Sequence, residues 1–288
     1  MADAADLNSA GETRAGSTPA ARTFSQEHRL PMILGTWNLE TYPSPSSPKG
    51  MAMQTVLNGH AADVWFLTEL HADFHLHAYH VAFSAPRIDA PPSFRKAAIA
   101  SRFPLQRIPG LDHPAEGRLC LARLILPDTN ETMLAVSTAV PWRGATPQWR
   151  AILGQEVSYA DVYEAVLMYM VARVREERLP GEDVIWGGDF NQGLVGRDYV
   201  GTLRGREALT RAFDSFGLSV PTRNQAALIR NHPAIDHIAI PATWPGNTET
   251  AAVYRPMRKG RHLSDHALYL VDTKRRYGDI PRIPGEPR

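Results

Sequence analysis

Short apolar runs bounded by turn-forming residues dominate this chain and predict buried strands. Pro31–Asn38 (PMILGTWN) reads as the first, running into Leu39 and Glu40. Asp63 opens a second, Val64–Leu67, which ends at Glu69. Further strands are expected over Ala78–Phe83, Ala97–Ser101, Leu119–Leu126, Met133–Thr138, Asp183–Trp186, Ile235–Ile240 and Ala267–Val271. Three segments carry the helical period instead: Met51–Ala62, Thr202–Phe216 and the strongest, from Tyr159. There Val162, Tyr163, Val166, Leu167, Met170, Val171 and Val174 recur at three- and four-residue steps. The cations from Arg173 to Arg178 suit the negative end of that helix, and Pro180-Gly181 stops it.

The segments between are polar and rich in Pro. Thr41–Lys49 is expected to be a loop, and Pro86–Lys96, with Arg87, Arg95 and Lys96, a surface loop. Residues 1–29, rich in Ala, Gly, Ser and Thr, read as disordered, and 274–288 as a polar tail, leaving a folded domain over 30–273. No internal repeat is visible. Many short strands with few helices predict a mixed α/β protein. The pattern alone fits either two sheets packed face to face or one doubly wound sheet.

Composition narrows the class without naming a function. The chain has 288 residues, 43% hydrophobic and 21% charged, with a formal net charge of +1. That balance excludes a strongly basic nucleic-acid-coating surface, although 31 Lys and Arg remain available to form a local basic cleft. Cys120 is the only cysteine, so neither an intrachain disulfide nor a cysteine-rich zinc site is possible. No apolar signal core or transmembrane run is present, and a cytoplasmic monomer is the expectation.

Polar residues stand at the ends of the apolar runs, where a core does not want them. They are Asn38 with Glu40, Glu69, Asp189 with Asn191, Asp236 with His237, and Asp265 with His266. Buried carboxylates are rare unless paired or bound to a cation. A shared site accounts for all five placements at once. Within it, Val184–Gln192 (VIWGGDFNQ) is the organising stretch: the two glycines are read as a tight turn after the strand, with Asp189 and Asn191 on one face beyond it. Carboxylates with an amide favour Mg²⁺ or Mn²⁺ over zinc, and a neighbouring His supplies a base or stabilises developing charge.

The series Thr36-Trp37-Asn38-Leu39-Glu40, Leu67-Thr68-Glu69, Ser101-Arg102-Phe103-Pro104, Gly188-Asp189-Phe190-Asn191, Ile235-Asp236-His237 and Leu263-Ser264-Asp265-His266 resembles the endonuclease/exonuclease/phosphatase superfamily, with the motifs in the family's order. The resemblance implies a four-layer α/β sandwich of two central mixed β-sheets flanked by helices. It also implies a Mg²⁺- or Mn²⁺-dependent phosphodiester hydrolase acting on DNA, RNA or another phosphodiester. By that resemblance Asn38 binds the scissile phosphate, and Glu40, Glu69 and Asp265 belong to the metal site. Asp189 holds or deprotonates the attacking water, Asn191 contacts the phosphate, and Asp236 orients a catalytic histidine or supports a metal ligand. His266 acts on the phosphate as base or electrostatic stabiliser.

One departure bears on the substrate. Where many members carry a leaving-group His on a middle strand, this chain has Ala139, within Val136–Val140. The following segment offers Trp142, Arg143, Trp149, Arg150 and Tyr159. Arg143 is a candidate phosphate contact there, with the two tryptophans as a stacking surface. The plainer alternative is a loop packed on the sandwich. Arg258, Lys259, Arg261 and His262 precede the Asp265-His266 motif, and Arg261 is expected at the cleft mouth, the alternative being a solvated basic turn. His71, His75, His77 and His80 lack the partners of a zinc site and are read as surface or rim residues. A phosphatase or phosphodiesterase on a small or lipid-linked phosphate, or a binding module without turnover, are the competing functions.

Overall fold

A computed structural model of the chain describes residues 31–86, 90–127, 131–197, 199–229, 232–244 and 251–273. Residues 1–29, expected to be disordered, 274–288, expected to be a polar tail, and Arg87 lie outside the described residues. In chain order the elements are β1 (Ile33–Asn38), α1 (Pro48–His60), β2 (Val64–His71), β3 (His80–Phe83), β4 (Phe94–Ser101), β5 (Leu105–Ile108), β6 (Leu119–Ile125) and β7 (Thr132–Ala139). Then come α2 (Thr146–Leu153), α3 (Tyr159–Glu177), β8 (Asp183–Asp189), α4 (Leu203–Asp214), β9 (Leu218–Ser219) and β10 (Asp236–Pro241). β11 (Ala251–Tyr254), β12 (Met257–Arg258), β13 (Arg261–His262) and β14 (Leu268–Asp272) complete the described chain.

Two six-stranded mixed sheets form, in the orders β11-β14-β1-β2-β4-β3 and β5-β6-β7-β8-β10-β9, with β12-β13 as a separate hairpin. Alternation decides what lies between them. One face of each strand set, including Val64, Phe66, Ile99, Ala122, Leu124, Ala135, Ile185 and Ile238, fills the space between the sheets. The other face of the first sheet, with Trp37, Trp65 and Leu67, is covered by Met53 and Leu57 of α1. The outer face of the second, with Leu134, Val136 and Trp186, is covered by Tyr163, Val166, Leu167 and Met170 of α3 and Leu209 and Phe213 of α4. The result is the expected four-layer sandwich. Each large side chain moved from water into these layers contributes about 1.5–3 kcal/mol.

Local chemistry sets the helix ends. Ser47 caps α1 by accepting the Gly50 N–H at 3.0 Å, with Pro48 in the first turn, where its missing N–H costs nothing. A reciprocal Ser158/Asp161 capping box opens α3.

The glycine pair of the organising stretch plays a different part from the turn expected. Gly187 and Gly188 lie inside β8, which runs on to Asp189. A Cβ on Gly187 would stand 2.3 Å from the Phe66 ring of the opposing sheet. One on Gly188 would stand 2.1 Å from the Thr138 carbonyl oxygen of neighbouring β7, at a φ of +133° that L side chains rarely adopt. The pair therefore serves close approach, of sheet to sheet and of strand to strand.

Topology gathers the polar strand ends at one edge. β1 and β2 run parallel, so Asn38 and the C-terminal part of β2 emerge together. β14 is antiparallel to β1, pairing Thr36 with Tyr269, so the residues just before β14 lie beside the end of β1. In the second sheet β7 and β8 are parallel with Ala139 opposite Asp189, and β10 is antiparallel with Asp236 opposite Asp189.

Candidate active site

Those strand ends border a cleft of about 530 Å³ lined by Asn38, Glu40, Glu69, Asp189, Asn191, Asp236, Asp265 and His266, together with Lys96, Trp142, Tyr199 and Ile229. Asp189, buried at the end of β8, is its centre. Its Oδ2 accepts from Asn38 Nδ2 and from Asn191 Nδ2, each at 3.0 Å, and its Oδ1 accepts the Asn191 N–H at 2.9 Å. Asn38 Oδ1 in turn accepts the Glu40 N–H at 2.8 Å, which fixes the orientation of the amide. Even so, burial, with the Asp236 charge adding to it, pushes the Asp189 carboxyl up to about 7.

His266 lies just before β14, with Nδ1 at 2.8 Å from Asp236 Oδ2, which accepts the bond. Its Nε2 stands 3.8 Å from Asp265 Oδ1. Burial opposes the imidazolium, but the charge and hydrogen bond of Asp236, with Asp189 and Asp265 nearby, outweigh it and push His266 up to about 10. The ring is thus cationic at neutral pH, with Nδ1–H donating to Asp236. Ser264 holds the preceding turn: its hydroxyl donates to the Asn38 carbonyl at 2.6 Å and accepts the His266 N–H at 3.0 Å.

Glu69 lies near the end of β2 in the left-handed region, φ +55°. Its Oε1 pairs with Lys96 Nζ at 2.7 Å and its Oε2 accepts the Thr41 N–H at 3.2 Å. Burial works against this carboxylate, but the Lys96 charge and these hydrogen bonds outweigh it and hold it below its ordinary value. Glu40, Thr41, Tyr42 and Asn191 are also left-handed, at φ of +54°, +62°, +52° and +48°. Five such non-glycine residues around one cleft store strain that packing elsewhere must hold, as at functional sites.

The expected residues divide into those that meet and those that do not. Asn38, Glu69, Asp189, Asn191, Asp236 and His266 converge. Glu40 and Asp265 line the cleft at its margin, Glu40 paired with Lys49 at 2.9 Å and the Asp265 side chain 66% exposed. Arg143 is exposed, its guanidinium 5.6 Å from the Tyr159 ring centroid, and Arg261 is exposed on the β12-β13 hairpin. Neither borders the cleft. Of the tryptophan segment only Trp142, 55% exposed, reaches the rim, whereas Trp149 is buried against α3. His237 faces away from Asp236, as adjacent strand residues must, and burial lowers it to about 4 while its Nε2 bonds the Gln192 carbonyl oxygen at 2.9 Å. Lys96 is the largest correction. Expected on a surface loop, it belongs to β4 and is 7% exposed. Its position immediately before an apolar run, like that of the polar strand ends, was the signal.

The donor set fits a hard divalent cation. Ligand atoms of Asp189, Asp236 and His266 lie within 4.8 Å of one another, the one such group among the described residues, and a cationic His266 leaves ion binding to the carboxylates of the cleft. Asp236 Oδ1 is buried without a hydrogen-bond partner, and carboxylates outnumber the cationic Lys96 and His266 in the cleft. Among the described residues, no helix is long and apolar enough to cross a membrane.

Comparison with known proteins places this geometry. The sequence profile of the Endonuclease/Exonuclease/phosphatase family matches residues 35–269. No curated protein sequence matches the chain. Among solved structures, an AP endonuclease from Archaeoglobus fulgidus aligns with a TM-score of 0.59 at 15% identity, covering 83% of this chain and 98% of its own. The endonuclease domain of TRAS1, a telomere-specific non-LTR retrotransposon, aligns at 0.57 and 15%, covering 84% and 98%. Truncated Caenorhabditis elegans TDP2 aligns at 0.55 and 15%, covering 84% and 96%. At these identities the likeness is one of fold.

Proposed function

The chain belongs to the endonuclease/exonuclease/phosphatase family, and we propose that it is a divalent-metal-dependent phosphodiesterase whose substrate is nucleic acid. The observation that carries this reading is the arrangement around Asp189: two amides on one of its oxygens, the Asp236–His266 pair opposite, and Glu69 in the same cleft. Glu69, with Asp265 and Glu40 at the margin, would hold a Mg²⁺ or Mn²⁺ ion. Such an ion supplies neutralisation of the phosphate oxygens and acidification of bound water.

The chain's own residues account for the rest. Asp189, poised near neutrality, takes the proton of the attacking water. Asn38 and Asn191 fix its carboxylate; Asn38 has a second amide hydrogen to present to the phosphate, whereas both amide hydrogens of Asn191 are engaged, by Asp189 and by the Val140 carbonyl oxygen. His266, held cationic by Asp236, donates from Nε2 to the oxygen on which charge develops. A base role for His266 is disfavoured by the height of its pKa.

Nucleic-acid neighbours in the fold favour nucleic acid, being an AP endonuclease and a retrotransposon endonuclease domain. A small or lipid-linked phosphate is favoured by one observation: among the described residues Arg143 and Arg261 do not line the cleft, and Lys96 is the one lysine or arginine that does, fewer cations than a duplex binder uses to track phosphates. Incubation with plasmid DNA, RNA, an abasic oligonucleotide, inositol phosphates and sphingomyelin, with Mg²⁺ or Mn²⁺, separates the two. Cleavage of a nucleic acid is expected. Turnover confined to inositol phosphates or sphingomyelin would replace the substrate assignment.

A further inference from the structure

Lys96 contributes a cation to the cleft from within a sheet. The β2–β4 register pairs Thr68 with Ala97 and Leu70 with Arg95, so Glu69 and Lys96 face one another across adjacent strands. The ammonium stands 2.7 Å from Glu69 Oε1 and 5.2 Å from the Tyr42 ring centroid, on a side chain 9% exposed. Tyr42 is itself clamped by a parallel stack on Phe94, ring centroids 4.3 Å apart. The other Glu69 oxygen is engaged by the Thr41 N–H. Both oxygens of the carboxylate assigned to the metal thus already face hydrogen-bond donors, and one donor bears a full charge.

We propose that Lys96 is a resident cation of the metal site, which holds Glu69 until a divalent ion displaces it and thereby sets the affinity for that ion. The physical basis is competition. An unpaired carboxylate in a partly buried site is costly, and Lys96 reduces that cost in the ion-free protein. An arriving ion must break this contact and tolerate a positive charge within a few ångströms, a repulsion that a partly buried site screens less than water does. Because the strand register fixes the Lys96 stem, the ammonium cannot retreat far. Lys96 is accordingly a positioning residue, acting through Glu69.

This inference rests on Glu69 being a metal ligand, and both are tested together by titrating metal-free protein with Mn²⁺ at neutral pH and reading free Mn²⁺ by electron paramagnetic resonance. Lys96→Met is expected to bind at least about tenfold tighter than wild type, since the competing charge is gone. Lys96→Arg, which keeps the charge, should stay within about threefold of wild type. Thermal unfolding of the metal-free variants reports folding, and Lys96→Gln replaces Lys96→Met if the apolar variant does not fold. A neutral variant that binds Mn²⁺ as weakly as wild type, or more weakly, overturns the proposal. So does a Lys96→Arg as tight as the neutral variant. Glu69→Gln provides the separation. If it binds like wild type, Glu69 is no ligand and both readings fall; if it binds weakly while the neutral variant shows no gain, only the role of Lys96 is lost.

Discussion

His266 shows how a single side chain takes its chemistry from its surroundings. An isolated imidazole is half protonated just below neutrality, yet here Asp236 holds it charged up to about 10. The sign follows from linkage: a raised histidine pKa adds stability that is complete below the unfolded value and lost as pH climbs through the folded one. Removing the partner charge with Asp236→Asn should therefore let His266 titrate well below about 10 in metal-free protein, as followed by NMR of the ring carbons. His266→Ala should lose roughly 10²–10⁴-fold in turnover. Asp236→Asn should lose much of the same factor, and the double variant little more than His266→Ala alone, because the two act as a unit. Losses that multiply would mean that Asp236 works independently, and its unpartnered Oδ1 would then point to the metal.

At the scale of the element, β8 does two jobs that compete for the same residues. It must bring the sheets close enough to seal the interior, and it must present Asp189 at its end. Gly187 allows the approach of the opposing sheet and Gly188 that of neighbouring β7, so Gly188→Ala should destabilise the protein by about 3 kcal/mol or more through backbone strain and overlap with Thr138. Gly59→Ala, in α1 with nothing within 4 Å of the added carbon, should instead stabilise by about 0.5–1 kcal/mol. Equal effects in denaturant unfolding would contradict this division. The apolar run of β8 was readable from sequence, and so was its acidic end; the purpose of its glycines was not. Close approach to Phe66 and Thr138 is a relation between distant segments, whereas a Gly-Gly pair signals a turn just as well locally. The same limit explains β11 and the β12-β13 hairpin, whose short segments carry too few residues to display a period.

Across the whole molecule, what was legible is what the chain repeats: apolar strands closing on polar ends. Asn38, Glu69, Asp189, Asn191, Asp236 and His266 meet because parallel and antiparallel neighbours bring those ends to one edge. Lys96 escaped because its partner is 27 residues away across a strand pair. Arg143 and Arg261 were expected by sequence proximity to motifs, yet a long side chain can turn outward, and Arg143 packs on Tyr159 instead. Asp189 sits where both sheets contribute to the cleft, and its carboxylate is the base of the proposed chemistry. The most direct measurement is therefore the rate of phosphodiester hydrolysis, on bis(p-nitrophenyl) phosphate and on the cleaved member of the substrate panel, for wild type and Asp189→Asn at saturating Mn²⁺ and in EDTA. The predicted result is hydrolysis by wild type only with the ion, and a loss of at least about 10²-fold in Asp189→Asn despite retained folding. Undiminished hydrolysis in EDTA, or an Asp189→Asn variant as fast as wild type, would contradict metal-dependent catalysis at this cleft.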